Sequence, residues 1–133
     1  MHPITQVSEV TEGVRVSVLT AYQPEYSDPD HASFVFTYHI RIENTSLYTI
    51  QLLRRHWYIY EGTCITREVE GEGVKGEQPV LEPGQAHEYT SGCSIRSGIG
   101  KMMGTFMMAR VVDAKRFAVK IPAFTMMVPF RLN

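Results

Sequence analysis

The run "SFVFTYHIRIEN" (residues 33–44) constrains the fold of this chain more than any other stretch. Phe34, Phe36, Tyr38, Ile40 and Ile42 share one face, while Thr37, His39, Arg41 and Glu43 share the other. An apolar period of two over this length is a half-buried antiparallel strand, because successive side chains leave opposite faces of the pleat. Such a strand must bury its apolar face against a second layer. The same signal recurs along the chain. "VRVSVLTAY" (14–22) aligns Val14, Val16 and Val18. "YTIQLLRRHWYIYEG" (48–62) is β-rich, but its alternation slips at Arg54-Arg55, which predicts a bulge or bend. "CITREVE" (64–70) returns as a hairpin after Glu61-Gly62-Thr63. "AHEYTSGCSI" (86–95), "KMMGTFMMARVV" (101–112) and "RFAVKIPAF" (116–124) complete the set, the last two joined tightly by Asp113-Ala114-Lys115.

No window of a dozen residues has clean helical periodicity. About seven to nine short strands predict an all-β antiparallel sandwich. A chain of 133 residues is expected to form one domain, 1–133. Residues 23–32, "QPEYSDPDHA", read as a polar, mobile loop.

Apolar residues at 44% and charged residues at 20% exclude a disordered chain. A formal net charge of −1 gives no general attraction to nucleic acid or acidic lipid. Residues 1–88 hold six Lys/Arg and thirteen Asp/Glu, whereas residues 89–133 hold seven Lys/Arg and only Asp113. Strands from both halves either interleave and mix these charges or leave a basic face. The N-terminal sequence has no basic and apolar secretory pattern, and no run reaches the ~20 apolar residues of a spanning helix. Cytoplasmic placement with Cys64 and Cys93 as reduced thiols is therefore expected, with no membrane partner.

Gly71, Gly73 and Gly76 in "EGEGVKGEQP" spell G-x-G-x-x-G. A dinucleotide fingerprint needs a helix directly after it, and Pro79, Pro83 and Gly84 stand where that helix would run. Glu70, Glu72 and Glu77 around Lys75 also oppose a pyrophosphate. Two readings stay open: glycines supplying positive φ in a tight loop, or a helix-free anion nest at Gly71, Gly73, Lys75 and Gly76.

"RRHWYIY" (54–60) offers Arg54, Arg55 and His56 as a clamp for an anionic aromatic ligand, or Trp57 as a core residue with the arginines at the rim. The histidines show no metal-ligand spacing, Ser91 has no nucleophile motif, and Cys93 has no sequence-local base, so no catalytic residue, metal or cofactor is predicted. In "KMMGTFMM", period two sends Met102, Phe106 and Met108 inward, and Met103 and Met107 outward. Those two methionines either line an interaction face or belong to a second buried layer or a bulge at Gly104.

"QLLRRHWYIY", "EVEGEGVKGEQPVLEPGQAHEYTSG", "GKMMGTFMM" and "FAVKIPAFTMMVP" together resemble the ApaG family over roughly residues 14–133. The resemblance implies an immunoglobulin/fibronectin type III-like sandwich with no established enzymatic activity. It also implies a genetic link to cobalt and magnesium sensitivity, a protein-binding role, and a suggested pyrophosphate role for Gly71, Gly73 and Gly76. The turn "VVDAKRF" departs from the family's acidic, Gly-containing hairpin tip. The combined expectation is a non-enzymatic module that binds a protein partner, whose identity is open, or a second copy as a homodimer. The alternative is a small-ligand sensor that takes a nucleotide, pyrophosphate or metal–nucleotide complex at the Gly-rich loop.

Overall fold

Among the described residues nine strands follow one another: β1 (Ile4–Thr11), β2 (Val14–Tyr22), β3 (Phe34–Asn44), β4 (Ile50–Glu61), β5 (Cys64–Glu72), β6 (Val80–Leu81), β7 (Ala86–Ile95), β8 (Ile99–Arg110) and β9 (Arg116–Met127). The structure is a computed structural model that describes residues 4–129; His2 and the two ends of the predicted 1–133 domain lie outside the described residues. The first sheet has the order β1-β2-β3-β7, and the second β5-β4-β8-β9, with β6 also pairing with β4. All pairings are antiparallel.

The alternating runs bury the faces their periodicity selects. Val14, Val16 and Val18 on β2 and Phe34 through Ile42 at every second position on β3 are buried between the sheets. They meet Leu52, Trp57 and Ile59 from β4, Met102, Phe106 and Met108 from β8, and Val119, Ile121 and Phe124 from β9. Trp57 is 3% exposed and packs against Tyr38 and Phe124, with ring centroids 5.3 and 6.0 Å away.

Register shifts three times in the second sheet, once between β4 and β5 at Ile59/Tyr60. Register shifts between Leu52 and Arg54 against β8, as the slip at Arg54-Arg55 predicts. It shifts again where Met102 and Gly104 face Phe124 and Ile121, so Ile121 and Pro122 are both buried. Proline suits that position because it has no amide to give the ladder. A Cβ at Gly104 would lie 2.1 Å from the His56 carbonyl oxygen, so only glycine lets β4 and β8 approach there.

Two features differ from the sequence reading. Strand β1 carries no strong apolar alternation and was not expected; as an edge strand it owes its place to pairing with β2, and Val7 packs on the core. The polar loop at residues 23–32 holds two short 3₁₀ turns that were not expected, Pro24–Tyr26 and Pro29–His31. Proline presets φ at the start of each, and the Asp28 carbonyl accepts the Ser33 amide.

Candidate functional site

The G-x-G-x-x-G segment is a looped-out hairpin on the β4 edge. The Gly73 amide donates to the Leu53 carbonyl and the Leu52 amide to the Pro79 carbonyl, so the chain leaves β4 after β5 and rejoins it before β6. Between these points Val74 and Glu77 exchange both backbone hydrogen bonds, at 2.8 and 2.9 Å. Lys75 and Gly76 have φ of 52° and 77°, the pair of positive values a two-residue type I′ turn requires. Val74 is buried in the core and anchors the hairpin. No helix follows. Two of the glycines have a packing reason: a Cβ at Gly73 would lie 2.1 Å from the Glu77 carbonyl oxygen, and one at Gly71 would lie 2.9 Å from the Arg55 guanidinium, whereas Gly76 meets open space and is explained by its φ alone. The amides of Gly73, Val74 and Glu77 are spent inside the structure, which removes three donors from an anion nest.

Strand alternation separates the three residues of the expected clamp. Arg55 pairs with inward Phe106 and faces the inter-sheet space, while Arg54 and His56 pair with Met107 and Thr105 on the outer face. The three therefore do not converge on one ligand. Arg55 Nη1 donates to the Glu72 and Gly73 carbonyls, 3.0 and 2.9 Å away, and holds the hairpin down.

Between the edges of β5 and β7 the sheets stand apart around a cavity of about 330 Å³. Its walls include Trp57, Tyr38, Tyr89, Ile59 and Val74, and its polar border is Arg55, Arg67, Lys75 and Ser91. Arg67 Nη2 donates to the Ser94 carbonyl and to Cys93 Sγ, linking β5 to β7. Burial pushes the Cys93 thiol up despite neighbouring Arg67, so it is a poor nucleophile at neutral pH. Burial also raises the Tyr89 and Tyr38 phenols. The Tyr89 hydroxyl is buried without a hydrogen-bond partner.

The outer face of the second sheet is built differently. Met103 and Met107 point outward, as their phase predicts, and are half-buried between their neighbours on β4 and β9. Met103, Tyr58, Tyr60, Pro122 and Ala123 line an open groove of about 380 Å³ bordered by Lys120 and Glu9. Lys101 sits over the Tyr60 ring, 4.9 Å from its centroid. Exposed Glu68, Glu70 and Glu72 occupy β5 on one side, and exposed Lys101, Arg116 and Lys120 occupy β8 and β9 on the other. The charge asymmetry of the sequence thus becomes a separation across one face.

On that face the β4–β5 register brings His56 between two carboxylates, with Nδ1 3.2 Å from Glu70 and Nε2 3.4 Å from Glu68. These ligand atoms lie within 4.8 Å of one another. The sequence reading searched for histidine and cysteine spacings and missed this cross-strand trio. Direct contacts of His56 with Glu68 and Glu70 account for the same geometry without an ion. The sequence reading also missed an apolar cluster at one end of the sandwich. Leu47 and Val112 are 90% and 78% exposed on neighbouring turns, linked by the Val111 amide donating to the Thr49 carbonyl.

The ApaG domain model matches residues 24–110. The chain is 45% identical to Protein ApaG of Rhodospirillum centenum over 122 residues, 92% of this chain and 93% of that protein. It is 47% identical to Protein ApaG of Nitrosomonas europaea over 116 residues, 87% and 91% of the two chains. Among solved structures it is similar to the putative ApaA protein of Bordetella pertussis, with a TM-score of 0.82, 39% identity and 96% of each chain covered. No described helix is long and apolar enough to cross a membrane.

Proposed function

The chain belongs to the ApaG domain family, and on that premise we propose that it is a non-enzymatic binding module that docks a protein partner on the outer face of its second sheet. The observation that carries this reading is the groove around Met103, an apolar opening on a face over which no described strand packs. Methionine and tyrosine are adaptable contact residues. Lys120 at the border and Lys101 over the neighbouring Tyr60 ring form no ion pair among the described residues. The fitting partner segment therefore brings an apolar side chain to the groove and carboxylates to the lysines.

A second copy of the chain has this chemistry too. Two such faces related by a twofold axis along the strands set the β5 glutamates of one against the Lys120 side of the other. The cobalt and magnesium link implied by the resemblance would then run through the partner. The module acts in the cytoplasm, where free Cys64 and Cys93 stay reduced. The non-enzymatic reading is supported by Ser91 and Cys93, neither of which has a histidine hydrogen bond among the described residues.

The test is the double variant Met103→Glu with Met107→Glu. The expected outcome is an unchanged circular dichroism spectrum with association weakened at least ~10-fold, about 1.4 kcal/mol. Association is read as self-association by sedimentation and as capture of protein partners by the purified chain. Unchanged association in a folded double variant places the binding face elsewhere.

A further inference from the structure

Three of the described arginines sit in ion pairs: Arg15 with Glu43, Arg41 with Glu43 and Glu88, and Arg110 with Asp113. Arg55 and Arg67, at the cleft between β5 and β7, are different. Among the described residues neither has a carboxylate partner, and no Asp or Glu lines the cleft. Their bonds go to backbone carbonyls and a thiol, which position the guanidinium groups without neutralising them. Arg55 uses only Nη1 in the bonds it makes, and Arg67 only Nη2, so each fork keeps donors to give. Lys75, at the tip of the hairpin, adds a third cation to the same border.

The wall behind these cations is aromatic and apolar. Trp57, Tyr38 and Met102 form it. Tyr89 lines the same space with its ring, while its hydroxyl is covered and has no hydrogen-bond partner. Donors converging on a partly dry cleft, with nothing negative to receive them, are the chemistry that recognises a phosphate or carboxylate. The volume, about 330 Å³, is at the small end of ligand sites.

We propose that this cleft is a binding site for a small organic anion, with its phosphate or carboxylate group at Arg55, Arg67 and Lys75 and a flat apolar body against Trp57. The site lies on a different surface from the groove around Met103, and it uses side chains rather than the backbone amides of the glycine hairpin. Either function stands without the other.

Trp57 is the only tryptophan in the chain, so its emission reports occupancy directly. Phenyl phosphate and benzoate, titrated separately, distinguish the two head groups; inorganic phosphate and benzyl alcohol supply each half of the ligand alone. The expected result is a saturable change with at least one aryl anion, tighter than with either half. Arg67→Gln combined with Lys75→Gln should weaken that binding at least ~10-fold, as loss of charge-assisted bonds does. Lys75→Gln alone, at an exposed position of the turn, should weaken it ~3-fold while leaving the melting temperature unchanged. That second variant keeps the test intact if the double variant fails to fold. No saturable response to either aryl anion overturns the proposal. So does equal binding of benzyl alcohol or inorganic phosphate, or affinity that is unchanged in the folded variants.

Discussion

On one flank of the sandwich, β9 lies against β1 and β2, and the Lys120 amide donates to Thr11 Oγ1 across the two sheets. On the other, β5 and β7 stand apart around Arg55 and Arg67. The difference follows from what each edge strand turns inward. Strand β9 presents Val119, Ile121 and Phe124, which lose nothing by leaving water. Strand β5 presents Arg67, Val69 and Gly71, opposite Ile59, Trp57 and Arg55 on β4. A guanidinium without a carboxylate partner cannot be taken out of water cheaply, so that flank stays open. Closure of a β-sandwich is thus set edge by edge, by the chemistry of a few inward positions.

Trp57 is where the two flanks share a wall, and its loss should have the largest effect. Trp57→Ala is expected to cost about 3–5 kcal/mol, read as a lowered midpoint of urea unfolding. A nearly unchanged midpoint would mean that the indole belongs to the cleft rather than to the core, and the contrast between flanks would need redrawing.

Gly73→Ala should act on the open flank alone. A side chain at φ +60° costs about 1–3 kcal/mol, and its Cβ would collide with the Glu77 carbonyl. Faster hydrogen exchange is expected at the Val74 and Glu77 amides, with no change at the Lys120 amide. If both sites speed up together, the flanks are energetically coupled.

The smallest effect is a pH dependence at the end of the open flank. Partial burial pushes the Glu61 carboxyl up, but the amides of Arg96 and Ser97, which both donate to it, outweigh this and hold it below its ordinary 4.5. A depressed acid stabilises the fold above its unfolded pKa and loses that contribution as pH falls through the folded value. Stability should therefore decline below about pH 4.5, and Glu61→Gln should show a shallower decline in thermal melts over the same range. Parallel declines would remove Glu61 as a pH-sensitive stitch between β4 and the β7–β8 turn.

The glycine motif shows how far local reading reaches. Pro79, Pro83 and Gly84 exclude a helix after the motif, and among the described residues strands β6 and β7 follow it instead. That Gly71 makes room for a guanidinium was not legible, because Arg55 is sixteen residues away in sequence and meets it only through the β4–β5 register. The outward phase of Met103 and Met107 was legible from period two. The groove beside Met103 was not, since Pro122 and Ala123 reach it through a bulge in β9. His56 joined to Glu68 and Glu70 is likewise a product of register alone.

By itself the sequence determined which faces are buried, where the chain turns and that two antiparallel layers form, because alternation, proline and glycine act within a few residues. Only the tertiary structure decided that Arg54 and Arg55, adjacent in the chain, serve opposite sides of a sheet. Only it decided that Arg55, Arg67, Lys75 and Tyr89 border one cleft. These relations depend on strand order and register, which are fixed by pairing between distant segments and by the total apolar area the two sheets bury, and no local pattern encodes them.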